Sequence, residues 1–443
     1  MFRLAPILGK YFFVGFLVYF LAQGVLYILN ERGIFKTSGR AAVFKQRAAI
    51  ILFHTCCFLL LSYESGGFSR DVLLTGFAGL LFLFSAMLVS SFFYENSCPL
   101  IWNGLFFLLA LGLAMQQRLA TSGGGAQLFF YNVGMTCALI IPLALKVIPK
   151  FEKLSFVYML TGLALLLLPF FIGRSAYGAT NWVRVGFISF QPSEAVKFLF
   201  VIYLASAYRN EVKLKNLVFP GVMSGIFVLI LVLQNDLGGA LIFFMSFMVL
   251  TYIAYGSELL FLAGMLAASG GAIAAYRFLS HIQTRVSAWL NPWEDPYNRG
   301  YQILQSLFAI GTWGFLGSGL TRGYPGYVPN VVNDMIFAAI CEEFGGVFGV
   351  LIIGIYIMIF YRGTHIALRS HNRYFALLAA GFTGLLAFQT FLILGGVIKL
   401  IPLTGVTLPF VSAGGSSAVS CIIMIGFTQW IGLKPGKARS NGI

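Results

Sequence analysis

Apolar runs of membrane-spanning length, separated by short polar breaks, recur along the whole chain. Each matches the roughly 20 residues that a helix needs to cross the bilayer hydrocarbon. About thirteen helices are expected, at 9–29, 47–63, 72–91, 98–116, 127–147, 153–172, 195–208, 218–234, 237–255, 258–279, 334–360, 374–395 and 409–431. The 195–208 run is short for a span. The pattern predicts an all-α, polytopic transmembrane bundle. Its longest polar interruption runs from His281 to Asn333 and ends where an apolar helix resumes.

Composition agrees with this reading. Of 443 residues, 59% are hydrophobic and only 10% are charged, which excludes an ordinary soluble globule and a disordered chain. The net charge of +15 does not indicate nucleic acid, because the basic residues gather in short loops between apolar runs. The six cysteines and four histidines show no metal-ligand spacing and read as packed side chains. The first apolar run lacks a small-residue cleavage site and is expected to remain as a span.

Lysine and arginine placement orients the bundle. The loop ERGIFKTSGRAAVFKQR, the loops carrying Lys146, Lys150 and Lys153, Arg209, Lys213 and Lys215, and Arg362, Arg369 and Arg373, and the tail with Lys434, Lys437 and Arg439 fall on one side. That side is expected to be cytoplasmic. The 281–333 loop, the GRSAYGATNWVRVG loop and the N-terminus then face outward.

There are 14 acids, and those within apolar helices are costly unless they pair or line a cavity. Glu194 and Lys197, three apart after Pro192, share a helix face and can pair. Asp236 follows a tight turn, where it either caps the next helix or joins a cluster with Lys197. Asp334 stands at the mouth of the 334–360 run, as a helix-dipole acid or as a reactive carboxylate. Glu342 and Glu343 lie about 12 Å deeper along a continuous helix. The 281–333 loop is rich in glycine, and Arg285, Arg299 and Arg322 suit an anionic group such as a pyrophosphate. Within it, PYNRGYQILQSLFAIG has the spacing of a helix lying at the interface, and Trp289, Trp293 and Trp313 fit an interfacial belt.

Five stretches, in order from about residue 98 to 431, resemble the signatures of the SEDS family (RodA, FtsW and SpoVE). They are GATNWVRVGFISFQPSEAVKF, LQNDLGGAL, LNPWEDPYNRGYQILQSLFAIG, NDMIFAAICEEFGGVFG and PLTGVTLPFVSAGGSSAV. The turn reads Gln-Asn-Asp where the family usually has Gln-Pro-Asp. VPNVVN replaces a more charged segment before Asp334, and Ala413 stands where tyrosine is usual.

The resemblance implies a core of about ten helices at 98–431, with 281–333 as its large extracellular loop. About three further spans at 1–97 precede it as an N-terminal extension, and 432–443 is a cytoplasmic tail. It implies a peptidoglycan glycosyltransferase of the bacterial plasma membrane that polymerises lipid II, releases undecaprenyl pyrophosphate and works with a class B penicillin-binding protein. The process would be elongation, division or sporulation. The family's essential aspartate aligns with Asp334, and its intramembrane polar residues align with Glu194, Lys197 and Asp236. On that reading Asp334 is a general base, while Arg285, Arg322 and Lys399 neutralise the leaving pyrophosphate. A divalent cation, Mg or Mn, is a candidate to share that work, with no dedicated protein cage and no organic cofactor expected. A lipid II flippase or a noncatalytic scaffold for a synthase are the rival readings.

The orientation is testable with an impermeant thiol reagent on intact cells. Tyr324→Cys should label above the background of the native cysteines, and Ser440→Cys should be protected. The reverse pattern would invert the topology.

Overall fold

The computed structural model describes residues 5–35, 38–63, 68–120, 123–147, 150–176, 179–185 and 188–433. Lys36 and the tail residues Lys434, Lys437, Arg439 and Ser440 lie outside the described residues. The helices, in chain order, begin with α1 (Ala5–Glu31), α2 (Gly39–Tyr63), α3 (Arg70–Phe93), α4 (Pro99–Leu119), α5 (Gly123–Val147) and α6 (Ser155–Ile172). There follow α7 (Pro192–Ala207), α8 (Val218–Leu233), α9 (Leu237–Tyr255), α10 (Glu258–Phe278) and α11 (Ser280–Leu290). The last five are α12 (Tyr301–Thr312), α13 (Ile336–Phe344), α14 (Gly346–Arg369), α15 (Arg373–Val397) and α16 (Gly415–Gly432). Among the described residues, 12 helices are long and apolar enough to cross a membrane.

Two expected spans differ. The 195–208 run is α7, which has 16 residues and falls short of a full span. The 334–360 run is not one helix. Gly345 adopts φ 96°, in the left-handed region, and separates α13 from α14. A side chain there would run into the Phe315 carbonyl oxygen, so tertiary contact as well as backbone angle requires glycine.

The chain divides into two compact units. The first comprises Met1–Val133, Val286–Arg362 and Ile393–Gly414. Its most buried helix is α4, where every residue from Leu100 to Gln116 is inside. Helix α2 packs on α1, α3 and α4. Phe53 of α2 stacks on Phe107 of α4 at 4.8 Å, and Phe20 of α1 meets Phe107 at 5.0 Å. A polar chain crosses this apolar contact: Asn103 donates to Gln46 Oε1 at 2.9 Å, and Gln46 Nε2 donates to the Phe20 carbonyl at 3.0 Å. With no water in the hydrocarbon to take these bonds, such groups must satisfy one another. Arg362 closes the same unit, pairing with Glu31 and donating to Cys98 Sγ. Helix α12 falls within the stretch predicted to be an amphipathic interfacial helix. It buries Ile303, Leu304, Ser306 and Ala309 and packs on α13.

The second unit comprises Gly134–Arg285, Gly363–Leu392 and Gly415–Ile443. Helices α6, α7, α8 and α9 pack around Phe200, which lies 5.2 Å from Phe227 and 4.8 Å from Phe243. Helix α16 packs on α7. Helix α10 buries no residue and touches α9 only lightly. Between α8, α9 and α10 lies an apolar cavity of about 340 Å³. The segment between α6 and α7 forms a small antiparallel sheet of β1 (Gly173–Ala176), β2 (Ala179–Val185) and β3 (Ile188–Phe190). Asn181 and Val183 are buried and Arg184 is exposed, the alternation a half-buried strand requires.

The break at Gly345 carries a prediction. Gly345→Ala should destabilise the protein by about 1–3 kcal/mol in thermal unfolding, through a disfavoured dihedral and the clash with the Phe315 carbonyl. Gly326→Ala, with nothing within 4 Å, should be neutral in the same measurement.

Candidate active site

In the first unit, Asp334 sits on a turn just before α13. It precedes Met335, the N-cap, so it does not itself cap the helix. Asn330 has φ 54°, and its carbonyl accepts from the Asn333 amide at 3.0 Å, which closes the turn. The next carbonyls hold it in place. Val332 O accepts from Gln116 Nε2 of α4 at 3.0 Å and from the Ala413 amide at 2.8 Å. Asn333 O accepts a short hydrogen bond from Ser412 Oγ.

The 408–413 segment that supplies these donors is itself pinned. Leu408 N donates to Ser412 Oγ at 2.9 Å, Gln127 Nε2 to Ser412 O at 3.2 Å, and Tyr356 OH to Pro409 O at 2.6 Å. Phe410 has φ 70°, and its carbonyl accepts from Tyr131 OH at 2.5 Å. The C-terminal signature PLTGVTLPFVSAGG is thus the clamp on the Asp334 turn.

The far end of α13 holds Glu342 and Glu343, both buried. Asp334 lies on the turn before the first residue of α13, whereas Glu342 and Glu343 are six and seven residues into the helix, about 9–10 Å along its axis from Ile336. Arg118 Nε, at the end of α4, pairs with Glu343 Oε1 at 2.9 Å, and Arg118 also donates to Gly323 O at 3.3 Å. Glu342 Oε1 accepts from the Tyr324 amide at 2.6 Å. Ser318 N and Gly319 N donate to the carbonyls of Glu342 and Glu343, both at 2.9 Å. Burial pushes the Glu342 carboxyl above the ordinary glutamate value, and the Tyr324 N–H, Arg118 and Trp313 hold it back. The glycine-rich segment is therefore laid against α13, with Gly317 at φ 72° where its Cα faces the Glu343 carbonyl. Arg322 projects from this segment and is exposed. Lys399, at φ 60°, is half-buried, and its carbonyl accepts from Trp289 Nε1 at 3.1 Å, which gives that tryptophan a structural partner.

The remaining sequence-derived residues lie in the second unit. Lys197 Nζ is 2.8 Å from Glu194 Oε2, the pair that the spacing of three predicts, and 3.0 Å from Gln389 Oε1. Ser420 Oγ donates to the Glu194 carbonyl at 2.7 Å. Asp236 caps α9 by accepting from Gly239 N at 2.8 Å, and it accepts from Gln191 Nε2 at 3.0 Å and Asn181 Nδ2 at 3.3 Å. Among the described residues no ion pair joins Asp236 to Lys197. Arg285 is half-buried on α11. Among the described residues no group of three or more His, Cys, Asp or Glu side chains is placed to hold a metal. Sequence reasoning did not single out Gln116, Arg118, Ser412 or Gln389. A lone arginine and two glutamines closing an apolar span were the available signal for the first two.

A family model described as "Cell cycle protein" (FtsW/RodA/SpoVE) matches residues 97–433. The chain belongs to the SEDS family of peptidoglycan glycosyltransferases. It is 31% identical over 410 residues to peptidoglycan glycosyltransferase RodA of Mycobacterium tuberculosis, covering 85% of this chain and 87% of that one. It is 35% identical over 289 residues to stage V sporulation protein E of Bacillus subtilis, covering 62% and 77%. Among solved structures, it resembles a chain of a peptidoglycan synthase complex with 26% identity and TM-score 0.63, covering 75% and 96%. RodA of Thermus thermophilus matches in fold, with 24% identity, TM-score 0.57 and coverage of 75% and 95%. This SEDS protein is a multi-pass membrane protein, and helices α1–α3 precede the matched region.

The buried pair gives a prediction for this SEDS protein. Lys197→Met leaves Glu194 charged and uncompensated, and should destabilise the fold by about 3–5 kcal/mol or prevent accumulation in the membrane. Combining it with Glu194→Gln should recover most of the thermal stability. A single variant as stable as wild type would show that the pair carries no such role.

Proposed function

We propose that this chain polymerises lipid II into glycan strands at the outer face of the bacterial plasma membrane, in elongation, division or sporulation, with Asp334 as the general base. The observation that supports this reading most is the clamped turn. The carboxylate stands at the end of α13 on a backbone held at Val332 and Asn333 by Gln116, Ser412 and Ala413. A base held in this way loses little in reorganisation when it takes a proton.

The 4-hydroxyl of the acceptor's N-acetylglucosamine attacks the anomeric carbon of the donor. Its proton passes to Asp334, and the bond to the pyrophosphate breaks, so undecaprenyl pyrophosphate leaves. Arg322 and Lys399 supply positive charge for that anion. The prenyl chains stay among the helices, so the substrate never leaves the bilayer. One carboxylate beside a substrate pyrophosphate is a donor set that suits Mg or Mn, and such an ion, when bound, adds charge beside the leaving group. The displacement needs no organic cofactor. A class B penicillin-binding protein is the proposed partner, since a similar structure comes from a peptidoglycan synthase complex in which polymerisation and crosslinking are coordinated.

The test is purified protein with lipid II, alone and with its cognate penicillin-binding protein. Asp334→Asn should lower polymer yield about 100-fold or more at equal expression. Its fold should persist, because the turn is held by backbone carbonyls. Full activity in well-folded Asp334→Asn would remove Asp334 from the mechanism. Lipid movement without polymer in the wild type would favour a flippase, and neither activity in either preparation would favour a scaffold.

A further inference from the structure

Helices α1–α3 stand before the matched core, and the reaction proposed above assigns them nothing. Two of them nevertheless reach α13 and the glycine-rich segment. Phe13 of α1 packs edge-on against Phe344 at the end of α13, with ring centres 5.1 Å apart, and against Phe53 of α2 at 5.5 Å. Phe53 lies 6.2 Å from Phe344 and 6.1 Å from Phe348 of α14. These rings therefore touch both sides of the break at Gly345. At the same end of α1, Lys10 Nζ donates to the Gly317 carbonyl at 3.3 Å.

The partner chosen by Lys10 is informative. Ser318 N and Gly319 N are spent on the last carbonyls of α13, and Gly317 turns with a positive φ to bring them there. That turn directs the Gly317 carbonyl toward α1, and a partly buried carbonyl needs a donor. An ammonium fills this role with a charge-assisted bond, near the end of α13 that carries Glu342 and Glu343, the latter paired with Arg118.

We propose that α1 and α2 brace the 314–324 segment against α13, with Lys10 as a positioning residue for the polymerisation proposed above, on which its catalytic consequence rests. The brace fixes the segment that carries Arg322 and through it the setting of the leaving pyrophosphate. It acts through the backbone at Gly317 and not by contact with substrate.

The experiment compares full-length wild type, Lys10→Met and Lys10→Arg by hydrogen exchange with mass spectrometry, and by polymerisation of lipid II. In Lys10→Met, amide exchange at Ser318 and Gly319 should speed up about tenfold, the effect of losing one charge-assisted bond. A peptide from α15 should exchange as in wild type, kcat should fall several-fold at unchanged KM, and Lys10→Arg should restore both. Unchanged exchange at 314–324 in Lys10→Met overturns the brace. Faster exchange in the α15 peptide as well overturns it in favour of general destabilisation, and so does a Lys10→Arg variant as impaired as Lys10→Met. Faster local exchange with unaltered kcat overturns the positioning role. Wild type that makes no polymer defeats the catalytic reading, and the exchange comparison still decides the brace.

Discussion

The carbonyl oxygens of Val332 and Asn333 are the points on which the site depends. A turn at the end of a buried helix leaves partly buried backbone carbonyls without intrahelical partners, so each needs a donor. Here the donors come from α4 and from the 408–413 segment. That segment is in turn pinned by Gln127, Tyr131 and Tyr356. The position of one carboxylate thus depends on four separate stretches of sequence. It also explains why the signature PLTGVTLPFVSAGG is rich in small and hydroxyl-bearing residues: these let backbone approach backbone.

The break at Gly345 follows from the same constraint. A continuous helix from Asp334 onward would bond the carbonyls of Glu342 and Glu343 within itself. Ending α13 at Phe344 frees them, and Ser318 N and Gly319 N take their place as partners. Beyond the break, Gly346 N and Val347 N donate to the carbonyls of Gly314 and Phe315. The glycine-rich segment is therefore attached by backbone bonds on both sides of Gly345. Its glycines serve the close approach that these bonds require.

These features differ in how far they could be read from the chain. Apolar run length placed most helices, because a span must hold about 20 residues whatever it packs against. The Glu194–Lys197 pair and the Asp236 cap were equally legible, since spacing of three and helix capping are local. The division of the 334–360 run was not. Hydrophobicity continues across Gly345, and the break is set by contact with Phe315, about thirty residues away in the chain. Arg118 and Gln116 were missed for the same reason, their partners Glu343 and Val332 lying 225 and 216 residues further on. The sheet after α6 escaped notice because its alternation spans only a few residues of β2.

Two adjacent carboxylates at the end of α13 need a physical account. Neighbouring residues on a helix point about 100° apart, so Glu342 and Glu343 can face different partners. Glu343 is in direct contact with Arg118, whereas Glu342 accepts from a backbone amide, with Arg118 a smaller influence. An amide compensates a buried anion less than a guanidinium does, in keeping with a Glu342 carboxyl raised by burial. The folded state then holds its proton more tightly than the unfolded chain. The stability this contributes is fully present below the ordinary glutamate value and is lost as pH rises through the raised one. Above it the charged carboxylate relies on the Tyr324 N–H, Arg118 and Trp313, all of them donors or charges that the native packing brings to it. The acid therefore depends on the 313–324 segment as much as that segment depends on the acid. Loosening either one exposes the other to the same desolvation penalty.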